Sequence, residues 1–350
     1  MITTKIKSAF NAVAACSLMG VASVISLAPL AQLSNAEVTA PVGYVKLTFN
    51  AESDTPFSLP MNRPKAYAGQ VASISGNEIT VANNDFTASE FVYNDGSQNE
   101  KYYLLFTTGT LEGRTFDVTA NSANSITVDQ GGDTDVQTLI NDAAATDNFT
   151  IRPHWTLNTL FPDGAGFNIS NDFDNPNGDV IFERDNTLNG LNLSVKADYF
   201  YYENNDGFEG WYNKKNGAKV NDEIIKPASM LIYRNTTTAS VVKNVVGDVP
   251  LTDGKSILIR SNVIDQDRYI GSLFPIDLSL VQMGLENSTL FTKSADFDNP
   301  EGDLIFVADR GLVVRNLSDG TVNQCLVSPF LDPLGADVTD LLTTATAVLI

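Results

Sequence analysis

Short runs of β-branched and aromatic residues, separated by turn-forming residues, recur along this chain at nearly regular spacing. The first six are YVKLTF (44–49), QVASI (70–74), EITVAN (78–83), YYLLFTT (102–108), RTFDVTA (114–120) and SITVDQ (125–130). The intervening segments carry SGN, NDGS, LEG and NSANS. Strands favour β-branched and aromatic residues, whereas Gly, Asn, Asp and Ser favour tight turns. The pattern therefore predicts an all-β protein with mostly short, hairpin-like connections.

The spacing of these runs also predicts how the chain is divided. Residues 69–150 are expected to form a small antiparallel β-barrel or roll, with a helix over 133–147. Residues 151–350 are expected to form a larger, sandwich-like second β domain, and residues 37–68 an N-terminal strand and connector. One or two short helices are expected in total.

The first 36 residues predict a cleaved secretion signal. Lys5 and Lys7 precede an apolar stretch, and Ser34-Asn35-Ala36 is a small-residue cleavage site. A membrane anchor needs about 20 uninterrupted apolar residues, and Pro29 interrupts this stretch. We therefore expect a secreted, periplasmic or cell-surface protein, with no membrane insertion after the signal is removed.

The net charge limits the classes of binding partner, and the cysteine content limits the possible disulfides. The chain has 42 Asp and Glu against 22 Lys and Arg, a net charge of −20. The negative electrostatic field of such a chain repels phosphate backbones and anionic lipids. We therefore expect neither nucleic-acid binding nor direct binding to a membrane surface. Cys325 is the single cysteine beyond the predicted signal, so no intramolecular disulfide is expected.

An acidic segment occurs twice, as DFDNPNGDVIF at 172–182 and as DFDNPEGDLIF at 296–306. A Leu-Phe-Pro sequence precedes each copy, at 160–162 and at 273–275. The pairing predicts an internal duplication within the second domain, with an insertion that lengthens the second copy.

Two structural roles are open for this segment. Oxygen-bearing side chains near a Gly are the ligand type that Ca²⁺ recruits, which makes each copy a candidate structural calcium site. The candidate ligands are Asp172, Asp174, Asn177, Asp179, Asp296, Asp298, Glu301 and Asp303. The alternative is a polar turn in which Asn-Pro-x-Gly-Asp reverses the chain into a strand. The sequence favours the turn, because Pro176 and Pro300 stand where a third calcium ligand is needed.

The segment from 198 to 215 is rich in aromatic residues around an NNDG turn. Strand alternation places Tyr199 and Tyr201 on one face of a hairpin and Phe200 and Tyr202 on the other. One hypothesis is a flat platform that stacks on sugars, built from Tyr199, Tyr201, Trp211 and Tyr212. The alternative, which the sequence favours, is cross-strand pairing of these rings.

Few catalytic arrangements are available to this chain. His154 is the only histidine and has no neighbouring cysteine in sequence, so a histidine-based metal site cannot be assembled. The sequence contains no G-x-S-x-G, H-E-x-x-H or G-x-x-x-x-G-K-[ST] motif. A pair of carboxylates for glycoside hydrolysis stays open, because the many acids offer numerous pairs whose separation the sequence does not define.

Three short sequence segments resemble those of a known family. They are Ser-Asp-Thr-Pro at 53–56, Gly-Gln-Val-Ala-Ser-Ile-Ser-Gly at 69–76 and Arg-Pro-His-Trp-Thr-Leu at 152–157. In their order the chain resembles a paralogous family of uncharacterised, exported proteins that is multiplied in verrucomicrobial genomes. The likeness covers roughly residues 38–235 and includes GDVIFERDN and EGWY, but Lys-Pro-Ala-Ser-Met at 226–230 departs from it. The resemblance implies an exported bacterial β protein.

These observations predict a non-enzymatic structural or adhesive component of the cell envelope or extracellular space. Unpaired strand edges and the apolar ATAVLI end offer means of self-association or of contact with other envelope components. The alternative is a carbohydrate-binding module that uses the aromatic platform. A polysaccharide hydrolase is the third hypothesis. No catalytic residue is assigned, and no cofactor is expected beyond the candidate structural Ca²⁺.

Overall fold

A computed structural model describes residues 41–94, 97–129, 140, 143–186, 188, 190–204, 207–250, 255–260, 266–272, 274–276, 302–308, 311–316, 322–327 and 347–349. The predicted signal lies outside these residues, as do nine of the 15 positions of the helix predicted over 133–147. Residues 143–147, at its predicted end, are turn or irregular backbone. Within the described ranges, no helix combines the length and apolar character needed to cross a membrane.

The described chain is built from 22 strands and very little helix. In chain order the strands are β1 (Val42–Phe49), β2 (Asp54–Phe57), β3 (Tyr67–Gln70), β4 (Ser73–Ser75), β5 (Glu78–Thr80), β6 (Tyr102–Phe106), β7 (Thr115–Asn121), β8 (Ser125–Val128), β9 (Asn148–Pro153), β10 (Trp155–Thr156), β11 (Val180–Arg184), β12 (Val195–Glu203), β13 (Glu209–Asn213), β14 (Ile224–Ile225), β15 (Leu231–Arg234), β16 (Val241–Asp248), β17 (Lys255–Arg260), β18 (Gln266–Gly271), β19 (Leu304–Ala308), β20 (Gly311–Asn316), β21 (Val322–Val327) and β22 (Ala347–Leu349). A single-turn helix α1 (Leu157–Leu160) leads into a 3-10 turn (Pro162–Gly164). The all-β prediction is confirmed.

The first sandwich module packs two antiparallel sheets against each other. One sheet pairs β1 with β16, and the other has the strand order β13-β12-β11-β15-β2. Strand β1 alternates as a half-buried strand does, with Val45, Leu47 and Phe49 inside and Tyr44 and Thr48 outside. The core between the sheets is largely aromatic, because the rings of Phe161, Trp211 and Tyr233 also lie in it.

The helix α1 and the 3-10 turn close one side of this core. A capping box starts α1, in which the Thr156 side chain accepts from the backbone N–H of Thr159 and the Thr159 hydroxyl accepts from that of Thr156. Gly164 lies against Tyr201, and a Cβ at this position would come within 2.6 Å of that ring. Its positive φ of 65° is a conformation that glycine tolerates well.

Residues 67–153 form a separate rolled sheet, the roll, with the strand order β3-β9-β6-β7-β8-β5-β4. The end strands β3 and β4 are consecutive in the chain. Between them, Val71 donates to the carbonyl of Asp147 and Ala72 donates to the carbonyl of Thr80. These two bonds reach opposite ends of the sheet, which therefore curls around its own core. Of the predicted forms, the roll fits, because the described strands β3 and β4 do not pair and the barrel is not closed.

The second sandwich module repeats the topology of the first. Strand β17 pairs with β21 as β1 pairs with β16, and β18-β20-β19 repeats β2-β15-β11. The acidic segment precedes β11 in one module and β19 in the other. The duplication is therefore wider than the sequence suggested: it begins at β1 rather than after residue 151.

An Asp-Arg ion pair marks equivalent positions in the two modules. Arg234 in β15 is bidentate to Asp54 in β2, with both distances 2.7 Å. Arg315 in β20 is bidentate to Asp267 in β18, at 2.7 and 2.9 Å. Each arginine also lies over a phenylalanine of the adjacent strand, Phe182 or Phe306. The shared register makes the two modules structural copies.

The roll is inserted into the first module, between β2 and α1. Residues 37–68 were expected to supply one strand and a connector. They contain two strands of the first module, because β1 pairs with β16 and β2 pairs with β15. The sequence did not indicate this arrangement, since strands that pair across an insertion of this size carry no local signal of their partner. All the described residues belong to one compact unit.

Polar contacts join the roll to the first module. Arg152 at the end of the roll donates to Asp248 in β16 at 2.8 Å, and both side chains are more than nine-tenths buried. Lys101 pairs with Asp222 at 2.7 Å, closer to solvent. Among the described residues, the insertion is thus held by the buried Arg152–Asp248 pair and by contacts closer to solvent.

Candidate functional site

The first acidic loop uses its oxygen atoms on its own backbone. Oδ1 of Asp172 accepts from the N–H groups of Asp174 and Asn175, at 3.0 and 2.9 Å. The buried Ser170 hydroxyl donates to the carbonyl of Asp172 at 2.8 Å and accepts from the N–H of Asn177 at 3.2 Å. This is the bonding of an Asx turn, which Asp and Asn form without any ion.

Asp179 ends the loop in a fully bonded, buried position. Its side chain is 1% exposed, and its two oxygens accept four hydrogen bonds. The donors are the N–H of Asn168, the Tyr233 hydroxyl, and the N–H and hydroxyl of Thr236. Burial and this carboxylate raise the pKa of Tyr233. Both oxygens are occupied, so Asp179 has no lone pair directed at a cation site.

Two further residues of the loop have packing roles. A Cβ on Gly178 would lie 2.2 Å from the Asn168 carbonyl oxygen, so this close backbone contact requires glycine. The ring of Phe173 packs edge-on against Tyr202 and Tyr212, with centroids 5.3 and 5.1 Å away. These contacts hold the loop at 172–179 against the outer face of the β12–β13 hairpin.

The predicted calcium ligands do not converge in this loop. Asp174 and Asn177 are exposed, and Asp179 is committed to its four donors. Among the described residues, no group of three or more His, Cys, Asp or Glu side chains is placed to hold a metal ion. In the second loop Asp303 is buried, whereas Asp296, Asp298 and Glu301 lie outside the described residues. For the first copy, the polar turn is the role that the geometry supports.

We expect the melting temperature to change by less than about 1 °C between excess calcium and excess chelator, because an ion stabilises only a fold that has a site for it. Differential scanning fluorimetry measures this directly. A calcium-dependent rise that disappears in Asp172→Ala would contradict the turn assignment. A rise that survives in that variant would place the ion elsewhere.

The predicted sugar platform is buried. Tyr199, Tyr201, Trp211 and Tyr212 are 3%, 2%, 0% and 7% exposed. Strand pairing places Tyr201 opposite Trp211, which donates through Nε1 to the Phe161 carbonyl at 3.3 Å. These rings do not present a face to solvent, and the alternative of cross-strand pairing describes the hairpin.

A tyrosine between two carboxylates is the closest approach to a catalytic arrangement. The Tyr199 hydroxyl lies 3.2 Å from Oε2 of Glu183 and 3.3 Å from Oε1 of Glu223. Burial and the two carboxylates raise the pKa of Tyr199. Lys196 pairs with Glu183 at 3.0 Å. The buried phenol lies between the two acids, so the arrangement is a structural bridge rather than an open acid-base pair.

His154 is also part of the framework. It is 1% exposed, and its Nε2 lies 3.0 Å from Oδ1 of Asp117. Burial opposes ionisation of Asp117, but His154 and Lys226 outweigh it and lower the pKa of this carboxyl group. An adjacent enclosed cavity beside Tyr103 has a volume of about 20 Å³, which is room for one water molecule.

The clearest candidate for a functional surface is the outer side of the β1–β16 sheet. Four apolar side chains, which we call the β1 face, project from it: Val42, Tyr44, Val242 and Val246, at 69%, 71%, 51% and 58% exposure. Tyr44 lies directly opposite Val246 in the strand register. A shallow depression of about 350 Å³ runs along Val42, Tyr44 and Val246. Exposed apolar patches of this kind mark interaction sites.

The β1 face contains no exposed acid, although the chain as a whole is strongly negative. Of the outward positions on the two strands, only Asp248 is acidic, and it is 5% exposed and paired with Arg152. Sequence reasoning identified the YVKLTF run but not this face, because the exposed side of β1 is apolar too and period-two alternation alone did not separate it from the core.

Comparison of the chain with protein-family models, with curated proteins and with solved structures gives no match. The functional interpretation therefore depends on the geometry described above.

Proposed function

We propose that this chain is an exported, non-enzymatic structural or adhesive component of the cell envelope or extracellular space, and that it joins copies of itself or other envelope components. The observation that carries the proposal is the β1 face, an uncovered apolar surface on the first sheet of a duplicated sandwich module.

The polar clusters of the described residues support a structural role. Asp179, Asp172 and His154 are each bonded within the fold. The enclosed cavity beside Tyr103 is too small for a substrate, and the larger depression beside Arg234 is open to solvent. A strongly acidic surface with one acid-free apolar face favours protein contacts at that face over binding of anionic ligands.

The predicted secretion signal and the resemblance to exported bacterial proteins favour a location outside the cytoplasm. The buried aromatic rings remove the main support for a carbohydrate-binding module. Glu52 and Asp54 line the solvent-open depression beside Arg234, but Asp54 is paired there with Arg234, and no further observation supports the hydrolase hypothesis.

Sedimentation velocity of the purified protein over a hundredfold concentration range tests the proposal. We expect the weight-average mass to rise reversibly with concentration, because apolar surface is removed from water on association. A monomer at every concentration that also fails to bind cell-envelope fractions would contradict the proposal. Reproducible turnover of a polysaccharide by the purified protein would contradict it as well.

A further inference from the structure

We infer that β22, the last described strand, is an exchangeable strand: it completes the four-stranded sheet of the second module in its own chain, and it can complete the same sheet in a second copy. The inference goes beyond the proposed function, which rests on the β1 face, and assigns a separate contact between copies. The observation that carries it is the topology of the duplicated module, because the second module lacks a hairpin that the first contains.

Strands β12 and β13 form a hairpin that has no counterpart directly after β19. In the first module, residues 185–230 separate β11 from β15 and include this hairpin. In the second module, only residues 309 and 310 separate the equivalent strands β19 and β20. The segment that follows β19 in the chain therefore does not fill the sheet position beside it. A strand left unpaired there would have backbone N–H and carbonyl groups without partners.

Strand β22 takes the position that β12 has in the first module. The order β18-β20-β19-β22 matches β2-β15-β11-β12, and β22 and β12 each run antiparallel to their neighbour. The registers also agree, because Ile305 is paired with Val348 as Ile181 is paired with Tyr199. Both isoleucines are 0% exposed. A strand distant in sequence thus supplies the pairing that a hairpin supplies in the first module.

The attachment of β22 to its sheet is short. It pairs with β19 through three residues, Ala347–Leu349, and no described strand lies beyond it. By contrast, β12 is nine residues long and pairs with β13 on its other side. Residues 309–346 separate β22 from β19 in the chain, so no tight hairpin holds the two strands together. Elements with few contacts open at low free-energy cost, and the release of β22 requires the loss of this one pairing.

A second copy offers β22 the same backbone pairing. Exchange of an identical element between protomers preserves the native pairing, which makes it a low-cost route to association. The segment LLTTATAVLI at 341–350 contains no acidic side chain, so it can approach another chain of net charge −20 without like-charge contact. The connection to its own chain opposes exchange, because a linked strand has an effective concentration of roughly millimolar. We therefore expect exchange to increase with protein concentration.

The experiment uses the double variant Leu304→Cys, Leu349→Cys in a Cys325→Ser background, prepared in unlabelled and heavy-nitrogen-labelled forms. Leu304 and Leu349 are directly opposed in the register. Opposed Cα atoms of antiparallel strands are about 4.5–5.5 Å apart, which suits a disulfide. The two forms are mixed under reducing conditions, oxidised and digested. Mass spectrometry then distinguishes cross-links within one label from mixed-label cross-links.

We expect the mixed-label fraction to rise about tenfold or more between roughly 10 µM and 1 mM protein, because intermolecular exchange competes with the linked strand. Cross-links confined to one label at every concentration would overturn the inference. The absence of any cross-link between positions 304 and 349 would also overturn it, since β22 would then not lie beside β19.

The matched control is Leu304→Cys, Lys214→Cys in the same background. Lys214 is exposed and has no place in the β19–β22 register. Mixed-label cross-links should be at least about tenfold fewer in this control, because it reports random collision. Equal frequencies in the two double variants would overturn the inference.

Sedimentation velocity separates this inference from the proposed function. Association that rises with concentration while cross-links stay within one label would overturn the inference and leave the proposed function standing. Mixed-label cross-links in a protein whose association is unchanged by Tyr44→Asp would support strand exchange and contradict the β1 face as the contact.

Discussion

Asp179→Ala is expected to lower the free energy of unfolding by about 3–5 kcal/mol. Hydrogen bonds to charged groups contribute roughly 1.5–3 kcal/mol each, and a buried donor left without an acceptor costs about 1–3 kcal/mol. This substitution removes the acceptor of four donors, among them the backbone N–H groups of Asn168 and Thr236. Urea titration followed by tryptophan fluorescence measures the change, since Trp211 lies in the core of the same module.

The matched control is Asp174→Ala in the same loop. Asp174 is exposed, and surface substitutions of this kind change stability by less than about 0.5 kcal/mol. Similar losses in the two variants would show that the loop acts as one acidic cluster rather than through the buried Asp179. A loss below about 1 kcal/mol in Asp179→Ala would contradict the hydrogen-bond network itself.

Asp248→Ala should destabilise the attachment of the roll by about 3–5 kcal/mol, because it leaves a buried guanidinium without its counter-charge. The Arg152 and Asp248 side chains are 9% and 8% exposed, and Nη1 of Arg152 lies 2.8 Å from the carboxylate. The same guanidinium also donates to the Arg63 carbonyl at 2.7 Å. Chemical denaturation measures the loss, and limited proteolysis shows whether the roll is the part released.

Asp54→Ala provides the control for burial, since it breaks another Asp-Arg pair in the same module. The Asp54 and Arg234 side chains are 46% and 51% exposed, and exposed pairs contribute about 0–1 kcal/mol. The double variant Arg152→Met, Asp248→Leu should be more stable than Asp248→Ala alone, because no charge is left buried. If the double variant is less stable than Asp248→Ala, removing the unpaired charge gives no gain, and the explanation by an uncompensated buried guanidinium is wrong.

The fold class followed from local signals, whereas the domain layout did not. Runs such as YYLLF and VIFER became β6 and β11 because residue type alone favours strands. The pairing of β2 with β15 joins Asp54 to Arg234, across the whole roll. No local pattern specifies a partner at that distance, so the sequence divided one module at the point where the roll is inserted.

For the candidate sites too, the sequence predicted local structure but not which segments pack over it. The sequence favoured the turn for the acidic segment, and the first copy has the bonding of a turn. The tyrosines of β12 alternated as predicted, but alternation does not say what covers each face. Phe173 from the acidic loop covers the outer face, and α1 with its neighbours covers the inner one. The exposed surface was instead on β1, where no chemical motif drew attention to it.

Hydrogen-deuterium exchange at low and high protein concentration tests the central claim most directly. If copies join through the β1 face, amides of β1 and β16 gain protection as concentration rises. Protection that rises elsewhere while residues 42–49 stay unchanged would contradict the account, as would exchange that is independent of concentration in a protein that also fails to bind cell-envelope fractions.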